Sequence, residues 1–144
     1  MKTVPFVLVL LLAGCDRIPA DPDGTLERVR AEQSFKVGLI ASGGPRPAKE
    51  MQFLKHIAAA TKARPRVLEG PSELMLGRLE DGQLDLVLGE LSTTSPWGKQ
   101  VALIRPLRED IAAGEHRHHV VAAKNGENAW ISLLDREARA VAAQ

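Results

Sequence analysis

Apolar residues recur along the chain in two rhythms, and their alternation lays out the fold. Short apolar runs bounded by Gly, Pro or polar residues predict strands over 35–40, 66–69, 85–89, 101–104 and 118–123. Apolar residues three and four apart predict helices between them. Met51, Leu54, Ile57 and Ala58 mark one helix from about Pro47 to Lys62. Leu74, Met75 and Leu79 mark a second, with Ser72 as its expected N-cap and Glu73 in its first turn. Trp130, Leu133, Leu134, Ala138 and Val141 form the stripe of a closing helix over 127–142. Residues 25–31, with Leu26 and Val29 on one side, read either as a short helix or as more of the preceding linker.

The stretch 80–90, Glu-Asp-Gly-Gln-Leu-Asp-Leu-Val-Leu-Gly-Glu, organises this pattern. Asp81-Gly82 stops the preceding helix, and Leu86-Val87-Leu88 reads as a strand covered on both faces. Gly89 then allows a sharp exit. Two successive strand-helix-strand units imply parallel pairing with right-handed crossovers. The expected class is α/β, a small mainly parallel sheet of about five strands flanked by helices, with 80–90 at its centre. Arg105-Pro106 is expected to end the fourth strand, leaving 107–117 as an irregular connection to the fifth.

In an open sheet of this kind, ligands sit beyond the carboxyl ends of the strands. That places Ser42, Gly43, Gly44 and Arg46 after the first strand, and Glu90, Ser92, Thr93 and Thr94 after the third, as candidate ligand-binding residues. Arg46 has the fork geometry to hold an anionic group, and the helix beginning near Pro47 adds a favourable dipole. The alternative is that the hydroxyls satisfy loop backbone and Arg46 is solvated. Trp97 completes the candidate set, either packed over the sheet edge or standing out beside Pro96 as an anchor for a partner.

Composition narrows the function classes. A chain of 144 residues, 44% hydrophobic and 26% charged, supports one domain with a real core. A net charge of +1, with no Tyr, three Phe and two Trp, offers neither a basic field nor a stacking platform, so no nucleic-acid partner is expected. The single cysteine excludes an internal disulfide and any multi-cysteine metal site. His116 and His118 would share a face of a strand, near Glu115, but zinc needs three or four placed ligands and no metal site is expected. Glu80, Asp81 and Asp85 fit a helix end and a strand start rather than an acid-base pair. Ser-Gly-Gly-Pro is not a phosphate-binding fingerprint. No enzyme activity and no cofactor are expected.

The amino terminus carries its own signal. Met1-Lys2-Thr3 is a short positive start, 4–12 is an apolar run too short to span a bilayer, and Ala13-Gly14 are small residues before Cys15. Leu12-Ala13-Gly14-Cys15 resembles the bacterial lipobox. That resemblance implies cleavage before Cys15 and lipid on its thiol and new amino group. The expected location is the periplasmic side of the bacterial cell envelope, and Asp16, similar to an inner-membrane retention signal, favours the inner membrane over the outer. Residues 1–14 are then a lipoprotein signal peptide, 15–24 a tether rich in Asp and Pro, and 25–144 one domain.

Thr25-Leu26-Glu27-Arg28-Val29-Arg30, then Phe35-Lys36-Val37-Gly38, then a helix, then Leu79-Glu80-Asp81-Gly82-Gln83-Leu84-Asp85-Leu86-Val87, resemble the amino-terminal lobe of type 2 periplasmic solute-binding proteins, the family 3 extracellular receptors of ABC importers. Val121-Ala122-Ala123-Lys124-Asn125-Gly126-Glu127-Asn128-Ala129-Trp130 is similar to the place where those chains return to the first lobe. The resemblance implies recognition of a small polar solute and an ABC permease or sensor as partner. Two departures qualify it. The family inserts a whole second lobe where only 107–117 stands here, so one wall of a cleft is expected rather than two. The family's carboxylate-binding arginine has its counterpart at Trp97, in Thr94-Ser95-Pro96-Trp97-Gly98-Lys99, so amino-acid binding is not carried over. The competing expectation is a non-enzymatic interaction lipoprotein that has lost ligand binding.

Overall fold

The computed structural model describes residues 21–92, 94–112 and 115–144. Its elements in chain order are α1 (Thr25–Glu32), β1 (Ser34–Ile40), α2 (Ala48–Thr61), β2 (Arg64–Gly70), α3 (Ser72–Glu80), β3 (Leu86–Ser92), a 3-10 turn at Pro96–Lys99, β4 (Val101–Ala112), β5 (Glu115–Lys124) and α4 (Asn128–Ala142). The five strands lie in the order β2-β1-β3-β5-β4, so the stretch ending at Glu90 does occupy the middle of the sheet. β1 pairs in parallel with β2 and β3, and β5 runs antiparallel to both β3 and β4. This is an α/β fold with a mixed sheet.

Two cores sandwich that sheet. On one face α1, α2 and α4 cover Phe35, Val37, Leu86, Leu88 and Val121; on the other α3 covers Ile40, Val87, Leu91 and Val120. β3 contributes alternately to both, which is why its sequence reads as an unbroken apolar run. The α4 stripe expected from the sequence, Trp130 to Val141, is the buried set observed. Trp130 lies against Phe35, ring centroids 6.4 Å apart, and donates its indole N–H to the Asp85 carbonyl at 2.7 Å. Gly89 is not the sharp exit expected: β3 runs on to Ser92, with Gly89 paired to Val120 and Leu91 buried. Its φ is +150° and a Cβ would lie 2.5 Å from Ile40 Cβ, so glycine is required there by the close approach of β1.

The main difference from expectation lies in β4 and β5. Arg105-Pro106 does not end a strand, and 107–117 is not an irregular connection. β4 continues through a register shift between Ile104 and Arg108, and β5 begins at Glu115. β4 is an edge strand, and proline is tolerated at edges and bulges because no ladder bond depends on its missing N–H. The two strands form one long antiparallel pair.

Smaller shifts have local causes. Residues 25–31 fall within helix α1, held because the buried Glu127 carboxylate accepts the Asp23 and Thr25 backbone N–H groups at 2.8 and 3.0 Å. In α2 the buried stripe runs through Glu50, Phe53, Leu54 and Ile57, leaving Met51 exposed. In α3 the buried residues are Met75, Leu76 and Leu79, with Leu74 exposed. Ser72 is the first helical residue, and Pro71 holds the cap position with no side-chain cap bond.

Candidate functional site

The carboxyl ends of β1, β2 and β3 gather most of the polar residues singled out by the sequence, but they do not form one site. Arg46, just before α2, is committed to internal partners. Its Nη1 donates to Glu50 Oε2 at 2.9 Å and its Nη2 to Glu69 Oε1 at 3.2 Å. Glu50 is 1% exposed and reaches His119 Nδ1 of β5 with its other oxygen at 2.9 Å. A chain of polar contacts Glu69–Arg46–Glu50–His119 therefore ties β2, α2 and β5 together. A carboxylate this deep is tolerated because both its oxygens are paired. Ser42 bonds the Gly44 carbonyl within an exposed loop, and Gly43 and Gly44 have open space around them.

The β3 exit is different. Glu90, Ser92, Thr94 and Trp97 line a cavity of about 320 Å³, completed by Ser72, Glu73 and Leu76 of α3 with Leu91, Ser95 and Pro96. The 3-10 turn builds its wall. The Ser95 hydroxyl accepts the Trp97 backbone N–H at 3.4 Å, and the indole packs partly buried against the α3 core while Trp97 Nε1 donates to Glu73 Oε2 at 3.0 Å. Trp97 thus bridges the loop after β3 and the first turn of α3. Ser92 and Thr94 hydroxyls bond each other at 2.9 Å at the mouth. Pockets that hold small ligands begin at about 300 Å³, so this one suits a ligand of few atoms.

Glu73, Ser72 and Ser95 were not candidates from the sequence. In the sequence Glu73 shows only as a first-turn helix residue; that it faces a tryptophan 24 residues later has no local signal. Thr93 and Cys15, and the side chains of Glu115 and His116, lie outside the described residues. Among the described residues no group of three or more His, Cys, Asp or Glu side chains is arranged to hold a metal ion.

A second cavity, about 210 Å³, opens at the amino end of the sheet among Asp23, Arg28, Asp85, Lys124 and Glu127. Its charges serve the fold. Asp85 pairs with Arg28 and accepts the Lys36 backbone N–H at 2.7 Å, and Lys124 pairs with Asp23. The hydrogen bond to Asp23 raises the Lys124 pKa above 10.5. A raised folded-state value gives stability that is present below 10.5 and lost only as pH climbs above it. The pair is exposed, so its contribution is small.

No protein-family model and no curated protein matches the chain. Solved structures do. A mutant of the arginine-bound form of domain 1 from TmArgBP aligns with a TM-score of 0.68 at 13% identity, over 83% of this chain and 99% of that one. An ancestral cationic amino acid solute-binding protein aligns at 0.64 and 9%, over 81% and 93%. The amino acid ABC transporter substrate-binding protein AbpA from Streptococcus pneumoniae, bound to L-arginine, aligns at 0.63 and 11%, over 80% and 91%. At these identities the likeness is one of architecture: the fold is that of one lobe of a solute-binding protein.

Proposed function

We propose that the chain is a lipid-anchored, single-lobed solute-binding protein that recognises a small polar solute for an ABC-type transport or sensing system. The observation that carries this reading is the cavity at the β3 exit, which lies where open α/β sheets bind ligands and on a fold shared with amino-acid receptors. In the proposed organisation residues 1–14 are removed as a signal peptide, lipid on Cys15 holds the protein on the periplasmic side of the bacterial inner membrane, and 15–24 tethers the lobe. The lobe works by binding, with no catalytic step. The test is thermal unfolding of the full chain in detergent, followed by tryptophan fluorescence, against amino acids, organic anions and polyamines. A ligand that raises the midpoint progressively with concentration supports the reading, and Trp97→Ala should abolish the response. No response to any of these classes would sink it. Anchoring has a separate readout: Cys15→Ser should abolish labelling by a radioactive fatty acid, and retained labelling would refute the leader assignment.

A second reading, a non-enzymatic interaction lipoprotein that no longer binds solute, is favoured by one observation. The sole basic candidate, Arg46, is consumed by Glu50 and Glu69. Recovery of one membrane partner in stoichiometric amount, with no thermal response to solutes, is its expected signature.

A further inference from the structure

The cavity at the β3 exit has a chemical bias that narrows its ligand. Among the described residues lining it there are the Glu73 carboxylate, an indole, and the hydroxyls of Ser72, Ser92, Thr94 and Ser95, but no Lys, Arg or His. Glu90 lies at its edge, with its side chain on the α2 face beside its cross-strand partner His119. A ligand carboxylate would have to shed water with no cation to receive it, which is costly. Two other features that would have welcomed an anion are already committed. Arg46 is held by Glu50 and Glu69 and does not line the cavity. The amino end of α3, whose dipole attracts negative charge, carries Glu73 in its first turn. A cation meets the reverse: the Glu73 carboxylate for its charge, hydroxyls for its N–H groups, and a tryptophan, the aromatic that holds cations best. The bond from Trp97 Nε1 to Glu73 fixes the indole and the carboxylate in one unit, so both are positioned before a ligand arrives.

We propose that this pocket selects an organic cation bearing no carboxylate, an alkylamine or alkylguanidinium, over the corresponding amino acid. The inference rests on the solute-binding reading above and names its substrate class. Arginine and agmatine provide the comparison, since they differ only by the carboxylate, and arginine is the ligand bound in neighbouring structures.

Calorimetric titration of the full chain in detergent with each compound, at one salt concentration, is the test. Agmatine is expected to bind at least about tenfold more tightly than L-arginine, a ratio worth about 1.4 kcal/mol. Glu73→Gln, which keeps an oxygen to accept the Trp97 indole N–H, is expected to weaken agmatine about tenfold by removing one charge-assisted contact. Arginine binding as tightly as agmatine, or glutamate or glutamine binding more tightly than either, overturns the cation inference and leaves the solute-binding reading standing. Failure of every compound, including the wider panel above, overturns both.

Discussion

Replacing Trp130 with alanine is expected to lower the unfolding free energy by about 3–5 kcal/mol, the range for deleting a large buried aromatic. Domains of this kind are stable by only about 5–15 kcal/mol, so the variant should be close to the edge of folding. Trp130 is fully buried, packs on Phe35, and holds the Asp85 carbonyl at 2.7 Å, so it joins α4 to both β1 and the residue that opens β3. Urea unfolding read by far-ultraviolet circular dichroism tests this, with a lower midpoint and an unchanged slope as the expected result. Trp130→Phe separates the two contributions. It keeps most of the ring packing but leaves the Asp85 carbonyl without this donor, and should cost about 1–3 kcal/mol. A loss below about 1 kcal/mol for the alanine variant would mean that α4 is not docked as described.

The second large effect concerns Glu50. Glu50→Ala is expected to cost about 3–5 kcal/mol, because breaking a buried pair strands the partner charge. Arg46 would keep its contacts with the exposed Glu69 and the Ile40 carbonyl, and His119, 7% exposed, would lose its Glu50 partner on α2. The comparison that matters is the double variant. If Arg46 and Glu50 form one unit, Arg46→Ala combined with Glu50→Ala should cost less than the sum of the single changes by at least about 1 kcal/mol. Simple additivity in urea unfolding would show that the chain Glu69–Arg46–Glu50–His119 is a set of independent contacts.

These two sites divide the sheet by role. At the α2 side of its carboxyl end, opposite charges are matched internally and lock strands to a helix. At the α3 side, the Glu73 carboxylate and several hydroxyls face a cavity. The proposed solute-binding role would use both: a rigid platform holds polar groups in place so that little ordering is left to occur on binding.

Much of the architecture was legible in the chain because it is written in local periodicity. The closing helix announced itself through Trp130, Leu133, Leu134, Ala138 and Val141, a stripe that repeats with the helical turn and meets one face of the sheet. Leu86-Val87-Leu88 signalled a central strand because residues buried on both faces cannot alternate with polar ones. Gly89 stands where a φ of +150° suits glycine alone, but it is no exit, because pairing with β5 carries β3 on to Ser92. Local pattern failed where neighbours in space overrode it. Pro106 looked like the end of a strand, yet the open edge of β4 makes its missing N–H harmless. Met51 looked buried by spacing, yet α2 turns so that Glu50 points inward, a choice made affordable by Arg46 and by His119, 69 residues away.

The candidate site divides in the same way. Residue types alone pointed to the polar end of the sheet and named Glu90, Ser92, Thr94 and Trp97, which the structure gathers around one cavity, although Glu90 and Ser92 belong to β3 itself and not to a loop after it. The sequence by itself thus determined the layered α/β plan and the end of the sheet at which polar chemistry collects. Only the tertiary structure decided that Arg46 is an internal strut, that Trp97 and Glu73 build the wall of the pocket, and that β4 and β5 form one long antiparallel pair. The physical reason is that each of those outcomes depends on charge pairing, a hydrogen bond or an edge between residues distant in the chain, and separation in sequence carries no information about which opposite charges, donors and acceptors will meet.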